Sequence, residues 1–81
     1  MDDTLKRKFT IRNSVSGGGW FIGALEDDLR AYCLAKGLEI EVFKSGWIFK
    51  HMSFVISGTA TTPDVYSYVD DLSQIYLKHG A

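Results

Sequence analysis

Alternating apolar and polar residues predict three β-strands in this chain. The first strand covers residues 8–13, with Phe9 and Ile11 on one face, and the second covers residues 38–43. Ser45-Gly46 matches a two-residue hairpin turn, which would place Glu41 opposite Lys50. The third strand covers residues 47–57, but its apolar parity changes near residues 50–52, which predicts a bulge or a longer loop there.

Apolar residues at spacings of three and four predict two helices. The first covers residues 20–36 and ends at Gly37, and its apolar face consists of Ile22, Leu25, Leu29, Tyr32 and Cys33. The second covers residues 63–79, with Thr62 as its N-cap and Pro63 at its first position. The inner face of this second helix is predicted to hold Val65, Tyr68, Val69, Leu72, Ile75 and Tyr76.

The element order β-α-β-β-α predicts an α+β fold in two layers, a sandwich of a three-stranded sheet with two helices on one face. This order resembles the ferredoxin-like β-α-β-β-α-β fold without its last strand. Eighty-one residues correspond to a single domain, residues 1–81. Two alternatives follow: either three strands complete the fold, or one sheet edge is open and a partner or a second copy completes it.

Charge and cysteine content narrow the classes of protein to consider. The formal net charge is −1, so no overall field attracts nucleic acid or acidic lipid. Cys33 is the one cysteine, which favours a reducing, cytoplasmic location without disulfides. No apolar run is long enough to span a bilayer, so we expect no membrane insertion.

A run of three glycines precedes the first predicted helix. Residues 13–19 are expected to form a loop, and the backbone amides of Gly17, Gly18 and Gly19 could bind an anion at the helix N-terminus. No lysine of the phosphate-loop type follows these glycines. The sequence therefore favours a flexible connection over a phosphate site.

Aromatic residues cluster around the predicted hairpin. Phe43, Trp47 and Phe49 would lie on the sheet face without helices or at its end, where exposed rings indicate a binding surface. Lys8 and Arg12 are predicted to form a polar rim on that face, next to Lys44 and Lys50. Trp20, directly after the glycines, is expected to cap the core at the start of the helix, and the alternative of a contact role makes it a second candidate contact residue.

The sequence favours a small non-catalytic protein-interaction or regulatory module that binds a protein partner or forms a homodimer. One alternative is a module that binds single-stranded RNA or DNA through the same basic and aromatic face. Another is a phosphate-ligand site at residues 17–19. Since no catalytic constellation, metal-ligand spacing or cofactor motif is recognisable, we expect no enzymatic activity, no metal and no cofactor.

Overall fold

The computed structural model describes residues 5–80 and contains five elements in that range. They are β1 (Arg7–Gly18), α1 (Gly19–Lys36), β2 (Glu39–Gly46), β3 (Phe49–Ala60) and α2 (Thr62–Lys78). The strands form one antiparallel sheet in the order β1-β3-β2, so the last strand in the chain is the central one. The predicted α+β class and the predicted element order are both confirmed.

The core lies between the helices and one face of β3. Met52, Phe54 and Ile56 alternate along β3 and are fully buried, because side chains two residues apart share a face. The predicted apolar face of α1 is confirmed: Ile22, Leu25, Leu29 and Cys33 are buried and Tyr32 is half-buried. Leu72 brings α2 into the same cluster. The helices therefore cover one sheet face and leave the other open.

The helix ends follow local capping rules. Gly37 ends α1 in the left-handed region at φ 70° and donates its amide to the carbonyls of Cys33 and Leu34. At the start of α2, the Thr61 hydroxyl accepts the Asp64 amide at 3.3 Å. The N-cap predicted at Thr62 is therefore wrong by one residue. An N-cap side chain accepts the amide three positions later, and the amide bonded here is that of Asp64, three positions after Thr61.

All three strands are longer than predicted, and β1 differs most. β1 pairs residue by residue with β3 from Arg7 opposite Ala60 to Gly18 opposite Phe49. The loop predicted over residues 13–19 is therefore wrong, because β3 supplies a ladder partner for that segment as far as Gly18. The bulge predicted near residues 50–52 is wrong as well, since the register of β3 runs without interruption through Gly58.

The hairpin between β2 and β3 also differs from the prediction. Gly46 lies opposite Lys50, and residues 47–49 connect the two strands. Glu41 consequently lies opposite Val55, and the predicted pairing of Glu41 with Lys50 is wrong. Gly46 has φ 90°, and a Cβ at this position would collide with the carbonyl oxygen of Phe49. The glycine is therefore required for this longer turn.

Candidate functional site

One end of the molecule carries four of the five exposed aromatic side chains of residues 5–80 together with an exposed isoleucine, and we call this group the aromatic end. Its members and their exposed fractions are Trp20 (92%), Trp47 (86%), Ile48 (80%), Phe49 (68%) and Phe43 (60%). Single exposed apolar residues are ordinary on protein surfaces, but contiguous apolar groups mark binding sites. The aromatic end is therefore the candidate functional site.

The secondary-structure elements explain why these side chains are exposed together. β1 ends at Gly18, α1 begins at Gly19, and the β2–β3 hairpin turns at residues 47–49, all at the same end of the sheet. Phe49 lies opposite Gly18, which has no side chain to cover the phenylalanine ring. Trp47 and Ile48 form the tip of the hairpin, beyond the last paired residues.

The residues proposed from sequence fall into two groups. Trp47, Phe49 and Phe43 lie on the hairpin or on the open face, with Phe43 opposite Ser53 and two same-face positions from Phe49. Trp20 lies at the same end but in the helix layer, and no ring contact joins it to the hairpin among residues 5–80. Trp20 is exposed, so the core-capping position that the sequence favoured for it is wrong. The exposure of Trp20 and Trp47 is compatible with a contact role, and what they bind stays a prediction.

Only some of the basic residues predicted to form the rim lie on the open face. Arg12 lies on the open face opposite Val55, but Lys8 lies opposite Thr59, close to the far end of β1 from the aromatic end. Lys44 and Lys50 were expected on this face, and that expectation is wrong. Both have the parity of the helix-covered face, because Lys44 lies opposite the buried Met52 and Lys50 is two residues before it.

Charges on the open face balance each other. The strand registers place Lys8 and Arg12 on this face together with Glu39 and Glu41. Val55 has Arg12 on one side and Glu41 on the other. Two bases and two acids give the face no strong positive potential, which nucleic-acid binding relies on.

An ion-pair network supports the hairpin from the helix layer. The Lys44 ammonium lies 2.6 Å from Glu26 Oε1, and the Arg30 guanidinium lies 2.9 Å from Glu26 Oε2. The hydrogen bond from Lys44, with that from Arg30, lowers the pKa of Glu26 below its ordinary value although partial burial opposes the shift. The network links α1 to the end of β2, so it helps to hold the hairpin relative to the helix.

A serine–histidine contact on the open face was missed from sequence. Ser16 Oγ and His51 Nδ1 are 2.7 Å apart, on directly opposed residues of β1 and β3. Both residues are exposed, and no carboxylate among residues 5–80 contacts the histidine ring. A separation of 35 positions in sequence hides this pair, which only the strand register could have predicted.

One of the three glycines, Gly17, has a packing role in the structure. Gly17 and Gly18 belong to β1, and Gly19 is the first residue of α1. A Cβ on Gly17 would lie 2.5 Å from Cδ2 of Phe21, so the absence of a side chain lets the Phe21 ring lie against the strand. No side chain caps the N-terminus of α1.

Neither a metal-ligating cluster nor a membrane-spanning helix is present within residues 5–80. No three His, Cys, Asp or Glu side chains there gather closely enough to hold a metal ion. None of the helices in this range has the length and apolarity needed to cross a bilayer.

Comparisons with protein-family models, with curated proteins and with solved structures give no match to this chain. Its function is therefore argued from the geometry of its own surface.

Proposed function

We propose that the protein is a non-catalytic interaction module that binds a protein partner through the aromatic end. The observation that carries this proposal is the exposure of Trp47, Ile48 and Phe49 in three consecutive positions at a hairpin tip. Aromatic residues dominate the binding energy of protein interfaces, because they bury large areas and lose little side-chain entropy.

The position of these residues suits a contact surface more than a core. Trp47 and Ile48 lie beyond the paired residues of the hairpin, so covering them requires a second molecule. The Lys44–Glu26 ion pair links the base of the turn to α1, and a base held in place reduces the entropy cost of binding. Phe43 adds a further exposed ring on the open face, with Ser45 and His51 between it and the tip.

The same surface fits a protein better than a nucleic acid. Single-stranded RNA is bound by aromatic rings interleaved with basic side chains. Here the two bases of the open face are matched by two acids, and Lys8 is remote from the rings.

The ferredoxin-like arrangement favoured by the sequence agrees with the strand order β1-β3-β2 and remains part of this proposal.

The proposal is tested by affinity capture from the native host with three versions of the immobilised chain. The wild type and Leu34→Ser should retain the same partner in stoichiometric amount, whereas Trp47→Ser should lose it. Leu34 is the matched control, because it is a large apolar residue that is 84% exposed on α1 and outside the aromatic end.

Two outcomes would contradict the proposal. One is a captured protein that both serine variants retain or lose equally, because nonspecific hydrophobic adsorption would then explain the capture. The other is Trp47-dependent binding to single-stranded RNA or to anionic lipid vesicles in place of a protein. The chain has two tryptophans, so Trp20→Phe isolates the fluorescence of Trp47, which should shift to the blue when its partner covers it.

A further inference from the structure

The outer edge of β1 lacks a strand partner among the described residues, although the side chain of Asn13 occupies one of its outward amides. Among residues 5–80, β1 pairs with β3 alone. The Ser14 amide donates to Asn13 Oδ1 at 2.8 Å, so it is turned away from β3. Because amides alternate in direction along an antiparallel strand, those of Thr10, Arg12 and Ser16 also point outward. An edge of this length without proline or a bulge is suited to pairing with another strand.

An apolar stripe on α2 lies above this edge. Tyr66, Val69 and Leu77 are exposed, so the inner position predicted for Val69 is wrong. With Ser73 these three residues follow the spacing of one helix face. The other flank of α2 is occupied by α1, through Tyr32 with Asp71 and His79 with Asp28. Tyr66 also lines a groove with Phe9 at the start of β1. The stripe is therefore on the side where a fourth strand would lie.

We infer that β1 of a second copy occupies this position, so that two chains form a continuous six-stranded antiparallel sheet. The two copies of β1 would pair about a two-fold axis at Asn13. Each copy would then bring its own apolar stripe on α2 to the shared edge, where the two stripes cover each other.

The sequence of β1 is complementary to itself in this register. Arg12 would lie opposite Ser14 of the partner and Lys8 opposite Gly18, so no two basic residues face each other. On the helix side, Ile11 would lie opposite Val15, and Phe9 would lie opposite Gly17. Like charges in direct opposition destabilise strand pairs, and moving the axis by one residue to Arg12 would place Arg12 opposite its own copy.

The first test is the mass in solution at several concentrations, measured by sedimentation on the whole chain. We expect a reversible dimer of about twice the 9.1 kDa chain. Ser14→Pro removes an outward amide and should give a monomer, whereas Ser14→Ala keeps the amide and should remain dimeric. A wild type that stays monomeric at its highest soluble concentration would overturn the inference.

A second pair of variants keeps the test decisive if the proline disturbs folding. Val69→Lys places a charge on the apolar stripe and should shift the chain to monomer. Gln74→Lys adds the same charge on an exposed, outer position of α2 and should leave the dimer intact. A dimer that survives Val69→Lys, or that Trp47→Ser dissociates, would overturn the β1 interface. The latter result would instead assign self-association to the aromatic end.

Cysteine cross-linking tests the register. In the proposed pairing the two copies of Asn13 form a non-hydrogen-bonded pair about 4.5 Å apart at Cα, which a disulfide can span. Asn13→Cys should therefore give a covalent dimer under oxidation. Arg12→Cys should not, because its two copies would be displaced by two residues and lie more than about 8 Å apart. Efficient cross-linking of Arg12→Cys alone would contradict this register.

Discussion

At the scale of single residues, Gly17 shows how an absent side chain shapes the junction between β1 and α1. We predict that Gly17→Ala lowers the free energy of unfolding by about 1–3 kcal/mol, because the new methyl group would displace the Phe21 ring. Gly23→Ala should raise it by up to about 1 kcal/mol, since Gly23 is inside α1 with open space beside it. Urea denaturation measures both. Equal effects of the two substitutions would mean that the Phe21 ring moves without cost.

The burial of residues in α1 could be predicted from sequence, whereas the place of the glycine run in β1 could not. The buried positions of α1 and the stop at Gly37 follow from helical spacing and from a conformation that glycine adopts easily. The glycine run at 17–19 predicts a loop, because glycine is compatible with many backbone conformations and gives no periodic signal. Its place in β1 depends on pairing with β3, which is distant in sequence.

At the scale of elements, Glu26 joins α1 to β2 and should make stability depend on pH. Its pKa is lowered in the folded state, chiefly by the hydrogen bond from Lys44. Its contribution is thus complete above the ordinary value of 4.5 and is lost as pH falls through the lower folded value. We predict that Glu26→Gln is less stable than wild type by about 1 kcal/mol or less near neutral pH.

The difference between wild type and Glu26→Gln should shrink as the pH falls below 4.5. Urea titrations at a series of pH values measure this difference. Glu39→Gln is the control for the loss of one negative charge, because Glu39 has no ion-pair partner among the described residues. A Glu26→Gln difference that stays constant between neutral and acidic pH would contradict the role of the Lys44 contact.

The elements themselves were more predictable than their pairing. Local periodicity identified three strands and two helices, while the ends of β1 and β3 depend on hydrogen bonds between distant segments. The hairpin register was predicted wrongly because Ser45-Gly46 resembles a tight turn, whereas Gly46 serves at the edge of a longer one. The parity of β3, and hence the exposure of Trp47 and Phe49, could not be decided without that register.

At the scale of the whole molecule, the core and the aromatic end should be separable by mutation. We predict that Trp47→Ser changes the free energy of unfolding by less than about 0.5 kcal/mol, because the side chain is almost fully exposed. Leu25→Ala should cost about 2–5 kcal/mol, because Leu25 is fully buried between α1 and the sheet. Thermal and urea unfolding of both variants provide the comparison. A large loss of stability in Trp47→Ser would mean that the tip supports the fold.

The same separation distinguishes the two proposed surfaces. The aromatic end lies where β1 finishes, and the α2 stripe follows the outer edge of β1 along its length. One copy could therefore use its edge for a second copy and its tip for another protein. The distribution of candidate binding residues over two surfaces could not be predicted from composition, because both draw on the same residue types.

Cys33 provides an internal measure of how often this small domain opens. It is the one thiol of the chain, and it lies on the inner face of α1 with 1% of its surface exposed. Burial raises the pKa of this thiol. A thiol reagent can reach the sulfur only when α1 separates from the sheet, so the alkylation rate reports opening without any added label. Apart from the two variants that introduce a cysteine, every variant described above keeps this sulfur as its one thiol, which offers one common kinetic scale for comparing their native-state fluctuations.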